Sequence, residues 1–414
     1  MSNRLKKSNI KNYYILLLAT LFTALYSQDF ESNSNLELNP NFSNQWWSQY
    51  NNYGQESSKI NFRYNGKYQK NKTNYYFSVL ASKDRFTISE SFIKSELFHN
   101  TYLKAGRYYR DFSLYLNDDL SSGSMLVSNN AEPMPKIGIL SAYDYKDLDF
   151  TFGIAHGSFE KSEVYTKAPM LHEKFIYINL IRNDYEFGIG IVHEAMWGGG
   201  TTEEGNFPSS LRDFFKVLIS ADDTSPIIFG EDSHQNALGN HLGIWDFYYI
   251  KNIKDRSTKF YYQHFFEDTS GLRFWNRLDG LWGIELSNYI KNTNILFEYL
   301  NTENQDRDPP YVNDRYYNHY QYTDGWSYKG YTIGNPFINH LDNNPSKVFH
   351  LGIIKNYPNQ YNYKLLLSRK INKSDPLKYE ICISKNANQF LIGAIITGEE
   401  GQSNNLGVKI SYQL

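Results

Sequence analysis

The stretch from Lys174 to Gly200, KFIYINLIRNDYEFGIGIVHEAMWGGG, limits what this chain can fold into more than any other. Tyr185, Phe187, Ile189 and Ile191 recur at every second position, and Glu186, Gly188, Gly190 and Glu194 take the opposite parity. That alternation is the period of a β-strand. One face is continuous and aromatic, the other small or charged. A soluble sandwich would set its apolar face against a second sheet, whereas lipid outside and water inside fit this pattern better. Arg182, Asn183 and Asp184 supply a tight turn, so the stretch reads as a hairpin. Trp197, followed by Gly198, Gly199 and Gly200, reads as an interfacial aromatic at the outer end with a long loop beyond it.

The same scheme recurs along the chain. Ile137 to Tyr145 pairs with Leu148 to Gly157, Phe175 to Ile181 with Tyr185 to Ala195, and Trp245 to Ile253 with Thr258 to Phe266. Trp282 to Ile290 pairs with Ile295 to Asn301, His350 to Tyr357 with Tyr361 to Lys370, and Leu377 to Ser384 with Gln389 to Thr397. Leu406 to Leu414 ends the chain. Upstream, Ile60, Phe62 and Tyr64 alternate, Tyr75 to Ser82 follows, and Thr87 to Phe98 turns at His99 and Asn100 into Tyr102 to Arg110. Short connections on one side and long ones on the other are the asymmetry of outer-membrane barrels. The segments from residue 59 onward are odd in number, and such barrels normally have an even number, so one more strand is expected within Gln45 to Tyr53. The expected fold class is all-β: a transmembrane antiparallel β-barrel of about 18 strands, with about 16 as the fallback.

The first residues agree with export. Arg4, Lys6, Lys7 and Lys11 precede an apolar run from Tyr13 to Leu25, and Ser27 before Gln28 suits cleavage, so residues 1–27 read as a signal peptide. Removing those four cations takes the net charge from −2 to −6, which offers no bulk attraction for nucleic acid. Residues 28–58, rich in Asn and Ser with Trp46, Trp47, Tyr50 and Tyr53, are expected to form an N-terminal periplasmic segment or plug and possible first strand. Residues 59–414 are expected to form the barrel. No stretch beyond the leader approaches the roughly 20 apolar residues of a spanning helix. An aromatic content of 17%, with 36 Tyr, suits strands and interfacial girdles. Cys382 stands alone, so no intrachain disulfide can form.

Strands committed to lipid and closure leave binding to the loops. Asp111 to Lys136 contains LSSGSMLVSNNAEPMPKIG, open to two readings: a binding loop, or one that folds inward. Asn304 to Lys347 interleaves Tyr316, Tyr317, Tyr320, Tyr322, Trp326, Tyr328 and Tyr331 with Asp314, Arg315, Asn318, His319 and Asp324. Ring faces can cover the C–H patches of a pyranose, and amide, carboxylate and guanidinium groups can meet its hydroxyls or a uronate carboxylate. The same rings can instead pack on one another and order the loop. Candidate polysaccharide contacts are Trp197, Asp314, Arg315, Tyr316, Tyr317, Asn318, His319, Tyr320, Trp326 and Tyr328. His172-Glu173 and His193-Glu194 lack a second His at helical spacing, and on a strand the neighbours point to opposite faces, so no metal site, cofactor or catalytic residue is assigned. The alternative is a diffusion channel, with Glu186, Glu285 and Glu298 at candidate lumen positions. A barrel-borne hydrolase ranks last, since no GxSxG elbow or paired constellation emerges.

SSGSMLVSNNAEPMPKIG, AHGSF, LHEK, VHEAMWGG, GNHLGIWD, FEDTSG, DGLWGIE, FEYLNT and YYNHYQYTDGWSYKGYTIGNP follow in an order that resembles the Wzi-like capsule assembly family, across most of residues 90–340. The resemblance implies an 18-stranded barrel with an occluded lumen in the outer membrane of a Gram-negative cell. It also implies a lectin-like role towards capsular or related polysaccharide, and no enzyme activity. Better-known members carry a periplasmic helical bundle that residues 28–58 are too short to supply. Ile410, Tyr412 and Leu414 resemble the C-terminal signal read by the barrel-assembly machinery, with Leu414 where an aromatic is usual. The partners expected are that polysaccharide, outer-membrane lipid and the assembly machinery, with the chain itself a monomer.

Overall fold

The computed structural model describes residues 30–38, 51, 53–54, 58–82, 85–221, 237–267, 269–305, 316–357, 361–371 and 375–413. Its main sheet is antiparallel throughout and closes on itself. The wall begins with Phe30–Leu38, Ile60–Lys70, Thr73–Ser82, Phe86–Ile88 with Ser91–Phe98, Thr101–Arg107, Pro135–Tyr145 and Leu148–Ser158. It continues through Met170–Ile181, Tyr185–Trp197, Asn240–Ile253, Arg256–Phe266, Gly280–Ser287 and Thr293–Asn301. Lys347–Asn356, Tyr361–Lys370, Lys378–Ala387, Phe390–Glu399 and Asn405–Gln413 complete it. Phe86–Ile88 and Ser91–Phe98 both pair with Thr73–Ser82 and share one place, so the wall has 18 positions.

Closure comes from Phe30–Leu38, whose Leu36 lies between Phe62 on one side and Ile410 on the other. The strand expected within Gln45 to Tyr53 is therefore earlier in the chain. Residues 45–50 and 52 lie outside the described residues, while Asn51 and Tyr53 have φ of 43° and 59°, which no strand residue adopts. Ser32 and Ser34 on the parity of Phe30 and Leu36 dilute the apolar signal, which is why the segment reads as polar. At the short-turn end Asn71, Asn100, Lys146, Lys254 and Asn388 take left-handed backbone, a conformation Asn accepts more readily than most residues.

The two parities of each strand meet different surroundings. Outward positions such as Ile139, Phe152, Ile176, Ile178, Phe187, Phe260, Phe297 and Phe349 are exposed and apolar. Inward ones include Asp246, Gln263, Glu285 and Glu298, all buried. The inward glycines of the opening hairpin have a cause: a Cβ on Gly188 would come within 2.1 Å of the Tyr248 ring, and one on Gly190 within 2.4 Å of the Tyr177 ring. Cross-strand tyrosines lie flat over these positions and fill the space that a side chain would take.

Water does not fill the outer half of the lumen. Residues 108–134 fold into it, and Leu120, Met125 and Leu126 are fully buried in a core shared with Val192, Leu242, Ile244, Leu281 and Leu296 of the wall. The segment 316–346 closes over this plug as a lid, placing Tyr317, Trp326 and Ile333 in the same core.

Candidate functional site

The inward carboxylates hold the plug. Asp246 accepts from the hydroxyls of Ser113, Tyr115 and Tyr177. Glu298 accepts from Ser121 Oγ and the Ser122 N–H, both at 2.6 Å, and from the Tyr261 hydroxyl. Glu285 takes Asn117 Nδ2 at 2.9 Å and Lys259 Nζ at 2.7 Å. Gln263 accepts the Met125 N–H at 2.9 Å and donates to Ser113 Oγ at 3.0 Å. A buried carboxylate is costly unless donors surround it, and here the plug shares that task with Tyr177, Lys259 and Tyr261 of the wall. Glu285 and Glu298 thus face the lumen as the alternation implies, but both are engaged by loop hydroxyls and amides together with Lys259 and Tyr261 of the wall. Glu186, lower on the wall, accepts from the Tyr248 hydroxyl.

The lid is held by its aromatic residues. Tyr317 donates to the Met125 carbonyl and accepts the Asn335 N–H at 2.9 Å, and Trp326 Nε1 donates to the Leu126 carbonyl at 2.8 Å. Tyr316 packs edge-on against Phe265, with ring centroids 4.5 Å apart, and its hydroxyl donates to Asp279. Asp279 also accepts the Asn304 N–H at 2.6 Å. Burial raises the Asp279 carboxyl from its ordinary 3.8 to about 7, against the opposing pull of those two donors.

The expected contacts therefore separate into three groups. Tyr316, Tyr317, Trp326 and Tyr328 are buried in the lid, so their ring faces are turned to protein and not to a polymer. Trp197 is also buried, on the outward parity of its strand, with Phe214 at a centroid distance of 5.8 Å. Those five expectations are corrected by the same cause: large rings at loop bases bury more area by packing than by facing water. Asn318, His319 and Tyr320 stay half-exposed, with the His319 ring against Tyr320 at 4.3 Å. Asp314 and Arg315 lie outside the described residues. The His-Glu pairs split across the wall, Glu173 and Glu194 inward and His172 and His193 outward, as strand geometry requires.

One polar cluster at the lid's edge is not visible in the sequence. Glu132, from the plug's exit, binds Arg85 Nη2 at 2.6 Å, Arg107 Nη1 at 3.0 Å and Lys329 Nζ at 2.9 Å. Glu160 contacts Arg107 at 3.5 Å and Lys329 at 3.3 Å, and accepts the Tyr328 hydroxyl at 3.0 Å. The Glu132 side chain is 1% exposed, whereas those of Arg85, Arg107 and Lys329 are 39%, 21% and 22% exposed. Three cations meet two carboxylates, which leaves the cluster one positive charge in excess, with Glu160 its most exposed member at 51%. Its members, Arg85, Arg107, Glu132, Glu160 and the Tyr328–Lys329 pair, lie on five separate segments, which is why no run of the sequence brings them together.

Comparison with known proteins gives a family and a fold. Residues 7–413 match the family described as capsule assembly protein Wzi. Among solved structures the chain resembles Wzi of Escherichia coli, described as an outer-membrane protein involved in group 1 capsule assembly and a carbohydrate-binding β-barrel. The identity is 13%, the match covers 96% of this chain and 87% of that one, and the TM-score is 0.59. A porin variant from Rh. blastica matches at 8% identity over 93% of this chain and 99% of its own, with a TM-score of 0.41. No curated protein matches significantly.

Proposed function

Because this chain belongs to the Wzi capsule assembly family and is an outer-membrane β-barrel, we propose that it holds capsular or related polysaccharide at the cell surface through the rim of its lid. The observation that carries the reading is the Arg85, Arg107 and Lys329 cluster around buried Glu132. Guanidinium groups held in place by a buried carboxylate are pre-set for the carboxylates of an acidic glycan, and the Arg85, Arg107 and Lys329 side chains keep part of their surface open to solvent. Asn318, His319 and Tyr320, half-exposed on the same lid, offer amide, imidazole and ring contacts to neutral sugar units, and Asp314 and Arg315 remain proposed contacts beside them.

The test is retention of a uronate-bearing capsular polysaccharide on immobilised protein, compared with the same polymer after its carboxyls are reduced to alcohols. Arg107→Gln with Lys329→Gln should weaken retention of the acidic polymer by about tenfold, from the loss of roughly 1.5 kcal/mol in charge-assisted contacts. The reduced polymer should be held weakly by both proteins. Equal retention of the two polymers by the unaltered chain would remove the proposal.

A further inference from the structure

Two loop segments fold down against the outside of the wall. The helix Leu211–Leu218 begins at Ser210 in a capping box, with the Ser210 hydroxyl taking the Asp213 N–H and the Asp213 carboxylate taking the Ser210 N–H. Lys174 of the wall donates to the Leu218 carbonyl, a cation at the negative end of the helix dipole. Phe214 and Val217 pack with Ala195, Trp197 and Leu238. In the second segment Phe274 stacks on Trp245 at 5.9 Å and on His264 at 4.4 Å, and Trp245 Nε1 donates to the Leu272 carbonyl at 3.2 Å.

The band of wall beneath them accounts for this covering. At this height the outward parity is polar: His172 stands opposite His156, Lys174 opposite His193, and Trp245 opposite His264. Imidazole and amine groups are expensive against hydrocarbon. With the two segments in place His172, His193, His241 and His264 are all buried. The surface that meets the membrane is thereby moved outward, from the wall to the outer faces of the segments. Leu211, Phe215 and Ile219, at successive fourth positions, are 73%, 55% and 74% exposed, and Leu272, Trp275 and Leu278 are exposed on the second segment. Arg212 and Lys216 flank the first stripe, and Arg273 and Arg277 punctuate the second. Among the described residues none of these four cations forms an ion pair.

We propose that these two segments form an interfacial belt that binds the phosphate groups of an anionic glycolipid in the outer leaflet. Its apolar stripes continue the lipid-facing band of Ile176, Ile178 and Phe187 just below, which places them among acyl chains. Arg212, Lys216, Arg273 and Arg277 then stand at headgroup level, where cations are complementary to phosphate.

The test titrates the full folded chain in detergent micelles with diphosphoryl lipid A, and with the same lipid stripped of both phosphates, reading bound lipid by native mass spectrometry. The unaltered chain should hold the phosphorylated lipid at least about tenfold more tightly. That preference should shrink as NaCl rises from about 0.05 M to about 0.5 M. Arg212→Ser, Lys216→Ser, Arg273→Ser and Arg277→Ser together should abolish it, with folding verified by the heat-dependent gel shift of a closed barrel. Equal affinity for the two lipids would overturn the proposal without any variant, as would an unchanged preference in a folded quadruple variant. The lid's cationic cluster also attracts phosphate, so the quadruple variant, which leaves Arg85, Arg107 and Lys329 intact, is what assigns the preference to the belt and separates it from polysaccharide binding at the lid.

Discussion

Single side chains in this barrel are decided by which parity they occupy and what lies across from them. Sequence alternation places Glu285 and Glu298 on the lumen side correctly, yet their role depends on Ser121, Ser122 and Asn117, which come from a loop more than a hundred residues away. The same gap separates Trp197 at a strand end from the buried residue it becomes under Phe214. Asp279 yields a prediction at this scale. A carboxyl raised from 3.8 to about 7 in the folded chain holds its proton more tightly there than when unfolded. Stability from this group is therefore fully present below about pH 4, falls as pH rises towards 7, and levels off above. Hydrogen exchange across residues 316–346, corrected for intrinsic rates, should show the lid better protected at pH 5 than at pH 8, by an amount on the order of 1 kcal/mol or more. Asp279→Asn should flatten that dependence. A second prediction concerns Gly190, where a Cβ would strike the Tyr177 ring. Gly190→Val should cost roughly 1–3 kcal/mol from overpacking, seen as a lower urea midpoint for refolding into lipid.

Among the elements, hairpins are legible because both partners carry the same period and the connection is two to five residues. Thr87 to Phe98 reads as one strand, but the chain bends at Ser89 and Glu90 and divides it, since the Ser89 N–H still reaches the Ser78 carbonyl while the pairing shifts beyond it. Long loops carry no period, so neither the inward path of residues 108–134 nor the outward fold of the helix Leu211–Leu218 can be read from the sequence with certainty. The plug is the element with the most direct functional readout. Because Leu120, Met125 and Leu126 fill the outer lumen, the intact chain should pass no large steady current in a planar bilayer. Replacing residues 116–127 by a short Gly-Ser linker removes the plug partners Asn117, Ser121, Ser122 and Met125 of Glu285, Glu298 and Gln263, and should produce measurable conductance with cation preference, since those carboxylates would then line the opening. A silent barrel after that deletion would show that the lid alone is enough to seal it.

At the scale of the molecule, a sheet of this length is stable in lipid only when it has no free edge, because unpaired N–H and C=O groups find no water in hydrocarbon. Closure falls to the least strand-like sequence of the wall, FESNSNLEL, which owes its position to pairing on both sides and not to its own propensity. That segment is hard to read for the same reason: its apolar parity is interrupted by Ser32 and Ser34, and the odd strand count calls for one more strand but places it at Gln45 to Tyr53. Its importance should be out of proportion to its composition. Leu36 is hydrogen-bonded territory between Phe62 and Ile410, so Leu36→Pro removes a ladder donor and fixes φ in a strand flanked on both sides. The variant should lose the heat-dependent gel shift and aggregate, whereas Leu36→Val, which keeps the ladder and the outward apolar surface, should fold as the parent does. Retention of a closed, shifting band by Leu36→Pro would mean that Ile60–Lys70 and Asn405–Gln413 can meet without the strand between them, which their present separation by one full strand does not allow.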